Sequence, residues 1–306
     1  MPIPYNAVLI AGPTASGKSA AALALAEALN GVVINADSMQ VYHEVRILSA
    51  RPTDADMARA PHLLYGHVGV AERYSVGRYQ TDAAAALAEA REMDRLPIFV
   101  GGTGLYFTAL TEGLADIPRV PADIRETARA RLADLGVAGL HAELAARDPQ
   151  SAAQLRPTDP QRVLRAWEVL EATGRPLSYW QREAGTPVLK DLRLARFVLD
   201  LDRWELRERI RARFLKMLEA GAKAELAALK DLDPTLPAAK ILGLRELSAA
   251  QSGALAEEEA ITLAVTATRQ FAKRQVTWFR HRMTDWSWLT PDLKGNFITS
   301  MRQYLS

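Results

Sequence analysis

Eight residues near the start of the chain, Gly12-Pro13-Thr14-Ala15-Ser16-Gly17-Lys18-Ser19, form a complete G-x-x-x-x-G-K-[ST] pattern. The pattern constrains the fold because its setting is fixed: a buried strand must lead into the loop and a helix must leave it. Ala7–Ala11 (AVLIA) reads as that strand, and the Ala-rich residues 19–29 read as the helix. A loop so placed turns successive backbone N–H groups around an oxyanion, and the helix N-terminus adds partial positive charge. Lys18 supplies a full charge for a terminal phosphate, and the Ser19 hydroxyl supplies a ligand for Mg²⁺. The residues therefore point to a di- or triphosphate site; the plainer alternative is a Gly-rich turn with a solvated lysine.

A chain of 306 residues suggests two domains, or one domain carrying an insertion. Its 49% hydrophobic and 24% charged residues are those of a soluble globular protein. No run approaches the roughly 18 to 20 apolar residues of a membrane span, and the opening MPIPYN lacks the pattern of a signal sequence. The absence of cysteine excludes disulfides and thiolate metal sites. Together these give the expectation of a cytoplasmic protein with no membrane partner. The net charge of +2 hides an asymmetry: residues 1–118 carry 8 Lys/Arg against 12 Asp/Glu, leaving 30 against 24 in the remainder. A basic second part permits a nucleic-acid partner without requiring one.

Strand and helix signals alternate through the first third. A second apolar run at 31–37 ends in Asp37, residues 78–93 read as a helix, and a third strand at 97–100 runs into Gly101-Gly102-Thr103-Gly104. Such alternation predicts an α/β fold, a parallel sheet with helices on both faces and ligands at the C-terminal strand ends. Gly12, Asp37 and Thr103 all follow such ends and are expected to share one crevice. From about Pro118 the texture changes. Residues 119–190 show helical patterns broken by Gly and Pro and no strand, which predicts an inserted all-helical domain. Strand character returns at 196–201, followed by a basic helix at 203–220. The simplest topology assigns 1–118 and 191–306 to one α/β core. A long helix at 262–283 would carry Arg269, Lys273 and Arg280 on one face. The five histidines have no metal-ligand spacing.

Asp37 heads the stretch Asp37-Ser38-Met39-Gln40-Val41-Tyr42. At the end of the strand beside a phosphate loop, it either orders a water on Mg²⁺ or accepts a proton from the acceptor substrate. A purely structural role as a turn or helix-cap aspartate is the third reading.

Five segments in order carry a resemblance: GPTASGKS, DSMQVY, GGTGLY at 101–106, DPQRVLRAWEV at 159–169 and TRQFAKRQVTWFR at 268–280. Together they resemble the tRNA dimethylallyltransferase (tRNA isopentenyltransferase) family of bacteria, across residues 12 to 280. Ala50-Arg51-Pro52-Thr53, Pro61-His62 and Tyr74-Ser75-Val76 also fit. One departure is that Leu63 follows His62, where the family usually has a second histidine.

The resemblance implies a P-loop NTPase-like core. It also implies transfer of a dimethylallyl group from dimethylallyl diphosphate to N6 of the adenosine 3′ of the anticodon, in tRNAs reading codons that begin with U. Residues 12–19 would hold the leaving diphosphate, with Mg²⁺ on Ser19; families with this loop are often described as ATP-binding. Lys18, Asp37 and Thr103 would be catalytic, Asp37 taking the N6 proton and Thr103 orienting N6 or the diphosphate. Arg209 and Arg213 would face the diphosphate or the RNA. Contacts to the anticodon stem-loop are implied for Asp37, Ser38, Met39, Gln40, Thr103, Arg125, Gln161, Arg162, Val163, Leu164, Arg165, Lys273 and Arg280, with Arg274 beside them. A monomer with no obligate protein partner is expected. Two other readings of the same residues are a small-molecule kinase on this fold and a non-catalytic, nucleotide-dependent RNA-binding switch.

Overall fold

The computed structural model describes residues 4–182, 185–291 and 297–305, and the chain divides into two compact units. The first unit joins the residues up to Thr111 with those from Val188 onward; the second is Glu112–Pro187. Sequence texture alone puts the two changes at 118 and 190, a few residues later in each case.

The first unit is built on six parallel strands: β1 (Ala7–Ala11), β2 (Gly31–Asn35), β3 (His62–Leu63), β4 (Leu96–Gly101), β5 (Leu194–Leu199) and β6 (Ser287–Leu289). They lie in the order β3-β2-β4-β1-β5-β6. Every residue of β1 and β2 is buried, as a strand covered on both faces requires, so these strands read as unbroken apolar runs. Burying each Val, Leu or Ile there contributes about 1.5–3 kcal/mol. The helices, in chain order across both units, are α1 (Lys18–Leu29), α2 (Asp54–Arg59), α3 (Val76–Glu92), α4 (Gly104–Thr111), α5 (Ala122–Arg147), α6 (Pro149–Gln154), α7 (Pro160–Thr173), α8 (Leu177–Trp180), α9 (Arg203–Glu219), α10 (Ala222–Glu225), α11 (Leu244–Gln251), α12 (Glu257–Arg282) and α13 (Ile298–Leu305). Of these, α5 to α8 form the second unit.

Several boundaries differ from the sequence reading. The helix expected at 262–283 begins five residues earlier. Glu257, Glu258 and Glu259 occupy its first turn and Arg280, His281 and Arg282 its last, an arrangement that complements the helix dipole at both ends. The strand expected at 196–201 is Leu194–Leu199, so Asp200 and Leu201 already lie beyond the sheet edge. Strands β3 and β6, of two and three residues, were not anticipated; both are too short to show a period of two.

The second unit packs α5 against α7 around Ala128, Leu140, Val163 and Trp167, with a neighbouring cluster of Leu144, Ala152, Ala166 and Leu170. Gly136, at φ 66° and ψ 177°, breaks α5 into two helical halves. Asp159 caps α7 by accepting from the Arg162 N–H at 3.1 Å, Pro160 follows at the first helical position, and Gly174 ends it in a left-handed conformation.

Candidate active site

Strand order sets the position of the site. Because β2, β4, β1 and β5 are neighbours in one parallel sheet, Asp37, Gly102, Gly12 and Asp200 leave it along the same rim. The loop between β1 and α1 needs two left-handed residues, Ala15 (φ 65°) and Gly17 (φ 90°), to turn its backbone. A Cβ on Gly12 would sit 2.8 Å from Ser16 Oγ, so this end of the loop is closed down on itself.

Lys18 is buried at the start of α1, and its Nζ donates to Pro13 O at 3.3 Å across the loop. Burial pushes its pKa down to about 8; the Arg213 guanidinium pushes the same way, and the Asp37 carboxylate opposes both. Arg213, on α9, donates to Thr14 Oγ1, and burial lowers its pKa against the pull of Asp37. Two cations thus converge on the loop with one carboxylate beside them. Arg209 lies one turn earlier and pairs with Glu205 at 2.6 Å. It lines a cavity of ≈ 510 Å³ together with Gly17, Lys18, Ser19, Arg213 and Lys216. Ser19 is exposed to that cavity.

Asp37 is held by its neighbours. Asn35, fully buried at the end of β2, accepts from the Asp37 N–H and donates to Asp37 O, both at 2.9 Å, and donates to Leu64 O at 3.0 Å. Asp37 Oδ1 accepts from the Met39 N–H at 2.9 Å, which meets the structural reading of this residue; Oδ2 faces Gly102, where a Cβ would lie 3.2 Å away. Thr103 Oγ1 accepts from the Ser38 N–H at 2.9 Å and donates to Ser38 Oγ at 3.2 Å, so Thr103 braces the turn that carries Asp37. Met39 lines a cleft with Thr14, Asp37, Arg213, Phe214 and Phe271. The expectation for Gln40 needs correction: it is buried, and its Nε2 donates to Ser49 O at 3.0 Å and Ala50 O at 2.8 Å. Its amide nitrogen is committed to holding a neighbouring loop, and that leaves it no hydrogen for RNA.

The glycines of the 101–104 segment have a packing reason. A Cβ at Gly101 would fall 2.0 Å from Ala36 O, at Gly102 2.1 Å from Gln275 Nε2, and at Gly104 2.2 Å from the Trp278 ring. Gln275 is a residue to which sequence reasoning gave no role. It is buried on α12; its Oε1 accepts from the Thr14 N–H at 2.9 Å and its Nε2 donates to Gly102 O at 2.8 Å. Its only sequence signal is its place in the 268–280 motif.

Lys273 and Arg280 line a groove of ≈ 950 Å³ between α9 and α12, with Arg203, Arg207 and Arg269. The spacing of Arg269, Lys273 and Arg280 along α12 anticipates that shared face. Arg274 turns elsewhere, its guanidinium lying 5.8 Å from the Phe271 ring centroid.

Within the helical unit, Gln161 and Arg162 are exposed in the first turn of α7. Arg165 is partly buried, and burial and the nearby Arg125 lower its pKa while Glu168, 3.8 Å away, raises it. Arg125 therefore lies in the neighbourhood of Arg165. Val163 is corrected outright: it is fully buried against Ala128, Leu140 and Trp167, and Leu164 is half-buried against the same cluster. Val163 has no side-chain surface left to offer RNA, and Leu164 has only its exposed part.

The donors around the loop suit a hard divalent cation that takes most of its ligands from a bound diphosphate and water. Ser19 offers one hydroxyl and Asp37 one carboxylate, and no group of three or more His, Asp or Glu capable of chelation exists among the described residues.

A phosphate loop closing on a buried lysine and a half-buried arginine at the edge of a parallel sheet defines a P-loop NTPase-like α/β protein. The sequence model of the IPP transferase family matches residues 40–282, and that of isopentenyl transferase matches residues 5–65. The chain belongs to the IPP transferase family and is a prenyl-transferring enzyme. It is 55% identical over 289 residues to a tRNA dimethylallyltransferase of Rhodopseudomonas palustris, covering 94% of this chain and 92% of that one. To the tRNA dimethylallyltransferase of Azorhizobium caulinodans it is 54% identical over 295 residues, covering 96% and 95%. Among solved structures, the tRNA isopentenylpyrophosphate transferase of Bacillus halodurans matches with a TM-score of 0.67 and 33% identity, over 98% of this chain and 94% of that one. A eukaryotic dimethylallyltransferase acting on tRNA matches with a TM-score of 0.75 and 28% identity, over 94% and 74%.

Proposed function

We propose that this enzyme transfers a dimethylallyl group from dimethylallyl diphosphate to N6 of the adenosine 3′-adjacent to the anticodon in tRNAs reading U-starting codons. The carbon–oxygen bond of the donor breaks, a carbon–nitrogen bond forms, the N6 proton goes to Asp37 Oδ2, and diphosphate leaves. One observation carries the reading: Thr14 and Arg213, on the side that suits a diphosphate, line one cleft with Asp37, whose carboxylate suits an acceptor proton, and Lys18 Nζ lies across the same loop. Leaving group and base thus belong to one crevice.

The loop amides, Lys18 and Arg213 stabilise the charge that grows on the diphosphate as the allylic carbon departs. Ser19 would hold Mg²⁺, which when bound offsets further negative charge on the leaving group. Adenine N6 is a weak nucleophile because its lone pair is delocalised into the ring, so removal of its proton by Asp37 is the assistance this acceptor needs. Thr103 keeps the Asp37 turn in place. The apolar cleft of Met39, Phe214 and Phe271 suits the five-carbon chain.

The base must leave its stack to reach such a crevice, which a single-stranded anticodon loop permits at low cost. The helical unit 112–187 is proposed to take the RNA, with Gln161 reading base edges and Arg125, Arg162 and Arg165 gripping phosphates or stacking on bases. Lys273 and Arg280 add phosphate contacts on α12. No step needs a second copy of the chain, so the reading has a monomer working in the cytoplasm; among the described residues no helix is long and apolar enough to cross a membrane.

The test is to follow diphosphate release from dimethylallyl diphosphate, with and without an anticodon stem-loop RNA, and ATP consumption in parallel. RNA-dependent diphosphate release with ATP untouched is expected. ATP consumed with a phosphorylated acceptor would replace this reading with a kinase.

A further inference from the structure

Two loops must keep a fixed spacing for any transfer in this crevice. One is the phosphate loop with Thr14 and Lys18; the other follows β4 and carries Thr103, which in turn holds the Asp37 turn through Ser38. They leave adjacent strands, and the backbone bonds between β1 and β4 end near the sheet rim, the last being Gly12 N–H to Gly101 O at 3.3 Å. Beyond that point one side chain among the described residues hydrogen-bonds to both. Gln275 accepts from the Thr14 N–H at 2.9 Å and donates to Gly102 O at 2.8 Å.

The chemistry of this bridge is specific. A buried primary amide offers an acceptor on one atom and donors on the other, and the two loops present the complementary pair, an N–H and a C=O. Thr14 is held from both sides, its N–H by Gln275 and its hydroxyl by Arg213. The Thr14 N–H is therefore not part of the amide set that receives phosphate oxygens. Gly102 lacks a side chain where the amide arrives, since a Cβ there would lie 2.1 Å from Gln275 Nε2 and 3.2 Å from Asp37 Oδ2. Gly104 is pressed on by Trp278 of the same helix, so α12 fixes the β4 loop at two points three residues apart on its own chain.

We propose that Gln275 is a positioning residue of the transfer reaction: its amide spaces the phosphate loop and the Thr103 loop, and through them the allylic carbon and the acceptor nitrogen. The inference rests on the prenyl-transfer reading above. It touches neither substrate. Its loss leaves each loop able to bind its own ligand and removes the register between them. Reacting atoms displaced by an ångström lose rate on the order of 100-fold, because attack geometry is what such a site supplies.

The experiment uses the full chain, dimethylallyl diphosphate and an anticodon stem-loop RNA, with Gln275→Met, Gly102→Ala and the double variant. Gln275→Met keeps the volume and removes both hydrogen bonds; Gly102→Ala drives the same amide away from the other side. Each single variant is expected to lower kcat by roughly 10- to 100-fold per folded molecule while KM for both substrates stays near wild type; Gln275→Met also lowers the thermal midpoint, because it strands the Thr14 N–H and the Gly102 carbonyl. Both break the Gln275 contact and Gly102→Ala also crowds Asp37 Oδ2, so the double variant should lose little more than Gly102→Ala alone, not the product of the two losses. A merely structural role would lower the midpoint and leave kcat per folded molecule unchanged. If Gln275→Met does not fold, Gln275→Asn, whose amide is one carbon too short to reach both loops, decides by the same split between kcat and KM. Folded variants with kcat within about twofold of wild type, or fully multiplicative losses, overturn the inference. Wild-type protein that forms no prenylated RNA would instead overturn the reading of function on which it rests.

Discussion

Lys18 is a cation that the fold makes reluctant to stay charged. Its pKa sits at about 8, well below the ordinary lysine range, because it is buried and faces Arg213. Its protonated form is required to meet a diphosphate, so the free enzyme loses binding-competent cation as pH rises through 8. Donor affinity, measured by calorimetry with inorganic diphosphate, should weaken as pH rises above 8, by up to about tenfold per unit from Lys18; affinity unchanged between pH 7.5 and 9.5 would contradict this. The stability sign runs the other way. Between about 8 and the ordinary lysine value the unfolded chain binds more protons, so this residue makes the folded state gain stability as pH rises through that window. Asp37 is the second residue to test. Asp37→Ala should keep RNA affinity within about twofold and lower kcat by roughly 10²- to 10⁴-fold, the range for loss of a general base. Near-normal turnover in that variant would return Asp37 to its structural role as acceptor for the Met39 N–H.

At the scale of elements, motif glycines act as packing spacers. Gly101 ends β4 where Ala36 O would stand 2.0 Å from a side chain, and that obstacle is backbone, which cannot turn aside. Gly101→Ala should therefore cost at least about 2 kcal/mol, read as a lower urea midpoint; an unchanged midpoint would show that the two strand ends separate easily. Glu225, at the end of α10, accepts from the Arg46, Ile47 and Leu48 N–H groups at 2.8, 2.5 and 3.0 Å. It caps the loop whose Ser49 and Ala50 carbonyls hold Gln40. Glu225→Ala strands those donors and should destabilise by about 1–3 kcal/mol, with hydrogen exchange of residues 46–50 rising first. The elements also mark what a sequence reveals. The phosphate loop, Asp37 and Thr103 were legible because each sits within a few residues of a buried strand whose apolar run announces it. Gln275 and Thr14 are 261 residues apart, and nothing local in either says that they meet. Arg213 was legible as a site candidate but not as the partner of the Thr14 hydroxyl. Val163 was misread because a motif ties adjacent residues to one role, while a helix sends neighbours to opposite faces.

For the whole molecule, charge is unevenly distributed along the chain. The first 118 residues are net acidic even with Lys18 counted, and the remainder is net basic. Arg203, Arg207, Arg269, Lys273 and Arg280 line one groove of the core; Arg125 and Arg165 lie near one another within the helical unit. RNA affinity should fall steeply with salt, and Arg280→Ala should reduce the slope of log K against log salt by about 0.7 to 1, the share of one phosphate contact. A slope equal to wild type would remove Arg280 from the RNA surface. The parallel order of the sheet followed from the alternation of strands and helices, while its outer strands β3 and β6 depend on tertiary pairing with β2 and β5. The most direct measurement is mass spectrometry of the nucleosides from tRNA incubated with this protein and dimethylallyl diphosphate in the absence of ATP. An adenosine heavier by one dimethylallyl group, from the position 3′ of the anticodon, is the expected result. Unmodified adenosine there, or modification that appears only when ATP is added, would contradict it.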